Sequence, residues 1–517
     1  MSVNKNFPTW IVTLSAIYLF HPAVAAAKPC DSLASLALPN TAITLAQDVP
    51  AGAFTLPSKP GINPMAALAG VAPKDLPAFC RVAMRLKPSA DSDIKVEVWM
   101  PATGWNGKFM AVGNGGWAGT ISYQLMAEPL SRGYATASTD TGHEGDTGDG
   151  RFAQGHPEKV TDFADRAVHE MTVEAKAVIA AYYGQNPKRS YWNGCSTGGK
   201  QGLKEAQRFP ADFDGIVAGA PANHWVHLSA SSLWFSQAVH ATEASFIPAS
   251  KFPVIHRAAL AACDARDGVK DGVIENPRRC TFDPQEIECT GADAPDCLTA
   301  AQVQAARKIY GPIVNPRTKE LIYPGLLPGS ELGWAVVAGP QAVPIAVDYF
   351  KYVVFKNPDW DFETFDFDKD LALADRTDDG LIAATDPNLR EFFGHGGKLL
   401  QYHGWSDPLI SPVNSVNYYS SVVDALGAAA VKDSYRLFMM PGMNHCSGGD
   451  GPDHFDSIEV IEQWVEQGKA PEQIIASHVR DGKVDRTRPL CPYPQIAAYT
   501  GTGSTDEAKN FVCVSEK

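Results

Sequence analysis

The sequence contains no run of lysine and arginine. Its 44 Lys and Arg are outnumbered by 58 Asp and Glu, which leaves a net charge of −14 at pH 7. That shortage argues against sequence-independent binding to nucleic acid or to anionic lipid, both of which need a basic face. No cysteine pair has the CxxC spacing of a structural zinc site. Internal repeats and low-complexity tracts are also missing. Beyond the N-terminus, no stretch has enough uninterrupted apolar residues to cross a bilayer as a helix, so no membrane span is expected in the mature chain.

What is present is ordinary globular composition, 45% hydrophobic and 20% charged. A length of 517 residues allows one large domain or two to four ordinary ones. Lys5, the short apolar run from Ile11 to Phe20, and the small residues of Ala23-Val24-Ala25 and Ala25-Ala26-Ala27 read as a cleavable export signal over residues 1–27. The expected location is therefore secreted or periplasmic. Ten cysteines in an exported chain imply up to five disulfides. Short loops favour Cys263–Cys280, Cys289–Cys297 and Cys491–Cys513, with Cys30–Cys80 as the N-terminal remainder, although spacing alone does not settle connectivity. Cys195 and Cys446 are left over.

Strand-like alternation appears at Ile94–Met100, Lys108–Val112 and Ala135–Thr139. Apolar residues recur at helical spacing from Phe163 to Tyr183. A strand at Ser190–Asn193, a helix at Lys200–Arg208 and a strand at Gly215–Ala218 follow, which is the α/β pattern. The texture then changes over residues 223–390, where four cysteines, Asp-Gly turns and scattered aromatics replace the alternation. It resumes with a strand at Lys398–His403, a helix at Asn414–Leu426, a strand at Tyr435–Met440 and a helix at Ile458–Gln467. The expected fold is one α/β domain formed by residues 28–222 and 391–517, with residues 223–390 inserted as a lid.

Gly194-Cys195-Ser196-Thr197-Gly198 fits G-x-S-x-G, a sharp strand-to-helix turn that projects a serine hydroxyl from a sheet. The glycines remove side chains that would clash there, and the helix N-terminus favours negative charge nearby. A serine nucleophile needs a base, and the base needs an orienting acid. Asp407 and His445 each lie in a loop just after a strand, in the order this topology requires. His403 and His454 are rival bases. His403 sits within or at the end of its strand and reads as structural; His454 sits in a polar stretch. If Ser196 and His445 meet, Cys195 and Cys446 are brought together too. A tetrahedral oxyanion would take N–H groups from Thr197 and from Gly115, in the glycine-rich loop Gly113-Asn114-Gly115-Gly116. Three carboxylates in Cys263–Val273 suit calcium, with Asp264, Asp267 and Asp271 as side-chain ligands and Val269 and Val273 as carbonyl ligands.

Gly194–Gly199, Trp405-Ser406-Asp407 and His445-Cys446 resemble the tannase and feruloyl esterase family. So do Ala206–Gly215, Ala383–Pro387 and Gly396-Gly397-Lys398. That resemblance implies an α/β-hydrolase core with a lid inserted before the acid, Ser196 as nucleophile, His445 as base, Asp407 as orienting acid, and a structural calcium on the Asp264–Val273 loop. It also implies a bond between the two cysteines flanking the site, and it supports the other four pairs. The lid would form an acyl pocket for an aromatic acid, with Trp225, Trp234, Phe235, Trp334, Tyr349 and Phe350 as candidates for its wall. The expected substrate is a small aromatic ester of hydroxycinnamate type. Gallate esters and mono(2-hydroxyethyl) terephthalate are alternatives; for the latter, the lid arginine of that enzyme type has no placeable equivalent here. A non-catalytic extracellular binding protein and a serine peptidase are the competing functional classes.

Overall fold

The computed structural model describes residues 1–3, 27–57, 73–117 and 119–516, so residues 4–26 of the expected export signal lie outside the described residues. Along the chain the strands are β1 (Thr41–Val49), β2 (Phe79–Leu86), β3 (Ile94–Pro101), β4 (Lys108–Val112), β5 (Ala135–Thr139), β6 (Arg189–Cys195) and β7 (Gly215–Gly219). A short pair, β8 (Ile313–Val314) and β9 (Leu321–Tyr323), precedes β10 (Lys398–Gly404) and β11 (Tyr435–Met440). Nine of these form one sheet in the order β1-β2-β3-β5-β4-β6-β7-β10-β11. The first three join antiparallel, and every pairing from β5 to β11 is parallel.

The parallel block explains the layers. Strands buried on both faces carry apolar residues at consecutive positions. Phe109, Ala111, Trp192, Ile216, Ala218, Leu399 and Leu437 face the helices Ala167–Tyr183 and Thr197–Arg208. Their alternates Met110, Tyr191, Val217, Leu400 and Phe438 face the helix Ser457–Gln467, through Ile458, Ile461 and Trp464. The resulting architecture is α/β, with a sheet between helical layers.

Two local departures from the sequence pattern have physical causes. The continuous helix expected from Phe163 is interrupted by a π turn at Asp162–Arg166, where Asp162 is buried and bonded by Arg166 Nε (2.5 Å) and Ser92 Oγ (3.0 Å). The helix expected from Lys200 begins at Thr197, directly after Ser196.

The segment after β7 leaves the sheet. Helices Trp225–His240, Phe252–Cys263, Ala300–Tyr310 and Lys369–Asp378 enclose a second apolar core that includes Leu233, Ile255, Trp334 and Phe350. This core continues into Trp117 and Phe163, which belong to sheet connections. Ile382 packs with the lid, whereas Ala384, Leu389 and Phe392 pack with the sheet. At the neck, the Ala384 N–H donates to the Asn223 carbonyl at 2.8 Å.

Five disulfides form: Cys30–Cys80, Cys195–Cys446, Cys263–Cys280, Cys289–Cys297 and Cys491–Cys513. No free cysteine occurs among the described residues. None of the described helices is long and apolar enough to cross a membrane.

A polar latch also joins lid and core. His256 Nδ1 meets Glu331 Oε2 at 2.8 Å, and its Nε2 meets Asp450 Oδ2 at 3.0 Å. Asp450 belongs to the loop that carries His445. Burial disfavours charge on His256, but the two carboxylates prevail and raise its pKa to about 9. A raised pKa means that the stabilisation is complete below about pH 6.5 and is lost as pH rises through about 9. His256→Gln should therefore melt lower than wild type at pH 6, and the gap should close by pH 10. Melting curves across that range check this; a gap independent of pH would contradict it.

Candidate active site

β6 delivers Ser196 at its carboxyl end, with φ 62° and ψ −121°. A non-glycine residue in that region is strained and persists only when its surroundings hold it. The restraints are visible. Ser196 N–H donates to the Gly219 carbonyl of β7 (2.9 Å), and the Ser196 carbonyl accepts from Lys200 N–H (3.0 Å) and Ala222 N–H (3.1 Å). The glycines permit close backbone contact: a Cβ on Gly194 would lie 2.6 Å from Gly198, and one on Gly113 would lie 2.5 Å from Gly198 Cα.

β10 and β11 deliver the other two residues to the same sheet edge. Asp407 is fully buried. Its Oδ1 accepts the N–H groups of Leu409 (2.8 Å) and Ile410 (2.9 Å). Its Oδ2 lies 2.7 Å from His445 Nδ1 and 3.0 Å from His403 Nε2. Burial pushes the Asp407 carboxyl up, but the charge of His445 and hydrogen bonds from His403 and His445 outweigh it and hold the group well below the usual carboxylate range. The Cys195–Cys446 disulfide, with its Cα atoms 6.1 Å apart, ties the residue before Ser196 to the residue after His445. Among the described residues Ser196 Oγ makes no hydrogen bond to His445, a contact that is often loose before substrate binds.

His403 has a larger part than its position in a strand suggests. It is buried, its Nδ1 lies 2.7 Å from Ser415 Oγ, and its Nε2 also reaches the Ile410 carbonyl at 3.1 Å. With the proton on Nε2 and the Ser415 hydroxyl donating to Nδ1, it is a fixed second imidazole on Asp407. The available sequence signal was its place four residues before Asp407. His454 is bonded to Asp453 instead, at 2.6 Å.

The glycine-rich loop is pinned to the helix that follows Ser196. Thr197 Oγ1 donates to the Gly116 carbonyl (3.0 Å) and Gly198 N–H to the Asn114 carbonyl (2.8 Å). Gln201 exchanges two hydrogen bonds with Asn114, at 3.1 and 3.2 Å. Gly116, the neighbour of Gly115, lines a cavity together with Ser196 and Thr197. Its remaining wall comes from Ala222, from Trp225, Leu228, Ser229 and Ser232 of the first lid helix, from Val343, Ile345 and Ala346, and from Leu409 and Ile410. No charged residue is among them. Of the six aromatic candidates for this wall, Trp225 reaches it. Phe235, Trp334, Tyr349 and Phe350 lie in the lid core, and Trp234 packs against it.

The acidic loop lies apart from this cavity. Asp264 accepts the N–H groups of Asp271 (3.1 Å) and Gly272 (3.0 Å), Asp267 that of Val269 (2.9 Å), and Asp271 that of Val273 (3.2 Å). Arg488 also pairs with Asp271. Burial and the charge of Asp271 raise the pKa of Asp267. The three carboxylates do not all come within 4.8 Å of one another.

The family model for tannase and feruloyl esterase matches residues 80–514. An uncharacterized esterase of Xanthomonas campestris pv. campestris is 40% identical, covering 97% of this chain and 94% of its own. The probable feruloyl esterase B-2 of Aspergillus oryzae is 34% identical over 92% of this chain and 93% of its own. The chain belongs to the tannase and feruloyl esterase family. A solved structure of feruloyl esterase B from Aspergillus oryzae superposes on it with a TM-score of 0.87, at 32% identity, over 94% of this chain and 99% of that one. The tannase and feruloyl esterase fold therefore accounts for both the sheet and the inserted lid, and the core is an α/β-hydrolase.

The approach of Gly113 to Gly198 yields a direct test. Gly113→Ala should force the glycine-rich loop off the helix after Ser196 and cost about 1–3 kcal/mol, as overpacking does. Denaturant unfolding measures this, and an unchanged midpoint would show that the contact is slack.

Proposed function

We propose that this chain is an exported serine carboxylic ester hydrolase that cleaves feruloyl-type aromatic esters through an acyl-enzyme. The observation that carries the reading is Ser196. It stands in a strained turn on the wall of an uncharged cavity, at the sheet edge where Asp407 holds His445. In this reading Asp407 fixes the Nδ1–H tautomer of His445, leaving Nε2 to take the Ser196 proton as the hydroxyl attacks the ester carbonyl. The Thr197 N–H and a donor from the Gly115–Gly116 region stabilise the oxyanion. His445 then protonates the departing alcohol, and water attacks the acyl-enzyme with His445 again as base. The disulfides suit an oxidising compartment outside the cytosol.

The cavity wall supports an aromatic acyl group without a free carboxylate. Among the described residues it is mostly apolar and offers no cation to a terephthalate-type acid. The Ser229 and Ser232 hydroxyls and the Trp225 indole N–H, which has no acceptor among the described residues, could meet phenolic or methoxy oxygens. A calcium ion is proposed on Asp264, Asp267, Asp271 and the carbonyls of Val269 and Val273. It would neutralise the acidic loop and hold the lid to the antiparallel hairpin of Ile474–Arg480 and Lys483–Leu490, which carries Arg488.

Three measurements check these assignments. On methyl ferulate, caffeate, p-coumarate and gallate and on mono(2-hydroxyethyl) terephthalate, wild type should turn over the hydroxycinnamates fastest. Ser196→Ala should abolish turnover with an unchanged melt, and full activity in that variant would overturn the proposal. His403→Gln should lower kcat/KM on the order of 10–100-fold, the scale of a charge-assisted hydrogen bond. An unchanged kcat/KM would reduce His403 to packing. Calcium chelation should lower the melting temperature of wild type by several degrees and leave Asp267→Asn unmoved; equal shifts in both would argue against this loop.

A further inference from the structure

Behind the helix that follows Ser196, three side chains meet outside the cavity. His169 lies on the helix Ala167–Tyr183, Glu205 in the last turn of Thr197–Arg208, and Asp212 in the turn beyond Pro210. One ligand atom from each lies within 4.8 Å of the other two. Glu205 is 1% exposed, and neither of its carboxyl oxygens receives a hydrogen bond from any N–H or O–H donor among the described residues. Its polar neighbour is instead a second acid, Asp212. Two facing carboxyl groups with no donor between them need a proton or a cation.

The nearby lysine and arginine do not supply it. Lys176 Nζ donates to the Asp212 backbone carbonyl, and Arg208 pairs with Asp165 at 3.0 Å. Asp165 adds a further negative charge. His169 is held flat against Phe209, with ring centroids 3.9 Å apart, and its Nδ1 lies 2.7 Å from Asp212 Oδ2. That contact is a hydrogen bond, which an ion held by tetrahedral bonds of about 2.0–2.1 Å would open to about 3.3 Å. One imidazole with two carboxylates suits first-row transition ions better than calcium or magnesium, which prefer all-oxygen shells. His169 and Asp212 are partly exposed, so an ion could enter from solvent and keep a water as a further ligand.

We propose that His169, Glu205 and Asp212 bind a divalent first-row ion of the zinc class, which staples the helix Ala167–Tyr183 to the far end of the helix that begins at Thr197. The site is structural: it lies beyond two turns of helix from Ser196 and contributes no group to the cavity.

The test keeps the protein in calcium, removes transition metals with a selective chelator, and titrates zinc chloride into wild type, Glu205→Gln and His169→Ala by calorimetry and thermal melting. Wild type should take up one more zinc ion than either variant and melt several degrees higher with it. Glu205→Gln should gain no melting temperature from zinc, and without zinc it should melt no lower than wild type, because its amide donates to Asp212. Equal zinc uptake by wild type and Glu205→Gln would overturn the proposal. So would an infrared band of a protonated carboxyl that is lost in Glu205→Gln but persists in wild type at saturating zinc, since the pair would then hold a proton instead of a metal.

Discussion

Asp407 carries a negative charge where solvent does not reach, and four donors from three parts of the chain converge on it. A buried ion costs several kcal/mol unless it is paired and its lone pairs are filled. Here the N–H groups of Leu409 and Ile410 set the angle of the carboxyl, His403 steadies it from β10, and His445 approaches from the loop after β11. The requirement to satisfy one carboxylate therefore fixes the relation between two neighbouring strands and their loops. The Cys195–Cys446 disulfide extends that relation to β6, so Ser196, Asp407 and His445 are located by covalent and hydrogen-bond constraints more than by loop packing.

The lid is part of the same construction. Its apolar core runs without a break into Trp117 and Phe163, and the Trp117 indole N–H donates to the Ile345 carbonyl at 3.0 Å. Trp117 follows the glycine-rich loop that is pinned to the helix after Ser196. The cavity is thus walled by both bodies, with Ser196, Thr197 and Gly116 on one side and Trp225 and Ile345 on the other. His256 adds a charged tie between lid and the His445 loop.

Much of this was legible in the sequence because the decisive features are local. Gly194–Gly198 is a short-range pattern, Asp407 and His445 each follow a strongly apolar strand, and the parallel strands are nearly continuous hydrophobic runs. β1 and β2 escaped notice. β1 is half-exposed along much of its length, and β2, although Cys80, Val82, Met84 and Leu86 alternate with Arg81, Ala83 and Arg85, starts just after a Pro- and Ala-rich stretch that obscures it. Tertiary placement was also hidden. No spacing rule separates Trp225, which lines the cavity, from Phe235 ten residues later, which fills the lid core. His403 was visible as a strand residue, but its bond to Asp407 depends on how the chain turns between them. The facing of Glu205 and Asp212 arises from a helix end and a proline turn whose geometry composition does not encode.

The proposed mechanism rests on Ser196 as the group that attacks. A fluorophosphonate probe, followed by proteolysis and mass spectrometry, reads this directly. The expected result is one adduct, on the peptide containing Ser196, with loss of ester hydrolysis in proportion to labelling. Labelling at another serine, or full hydrolysis by protein already modified at Ser196, would contradict it.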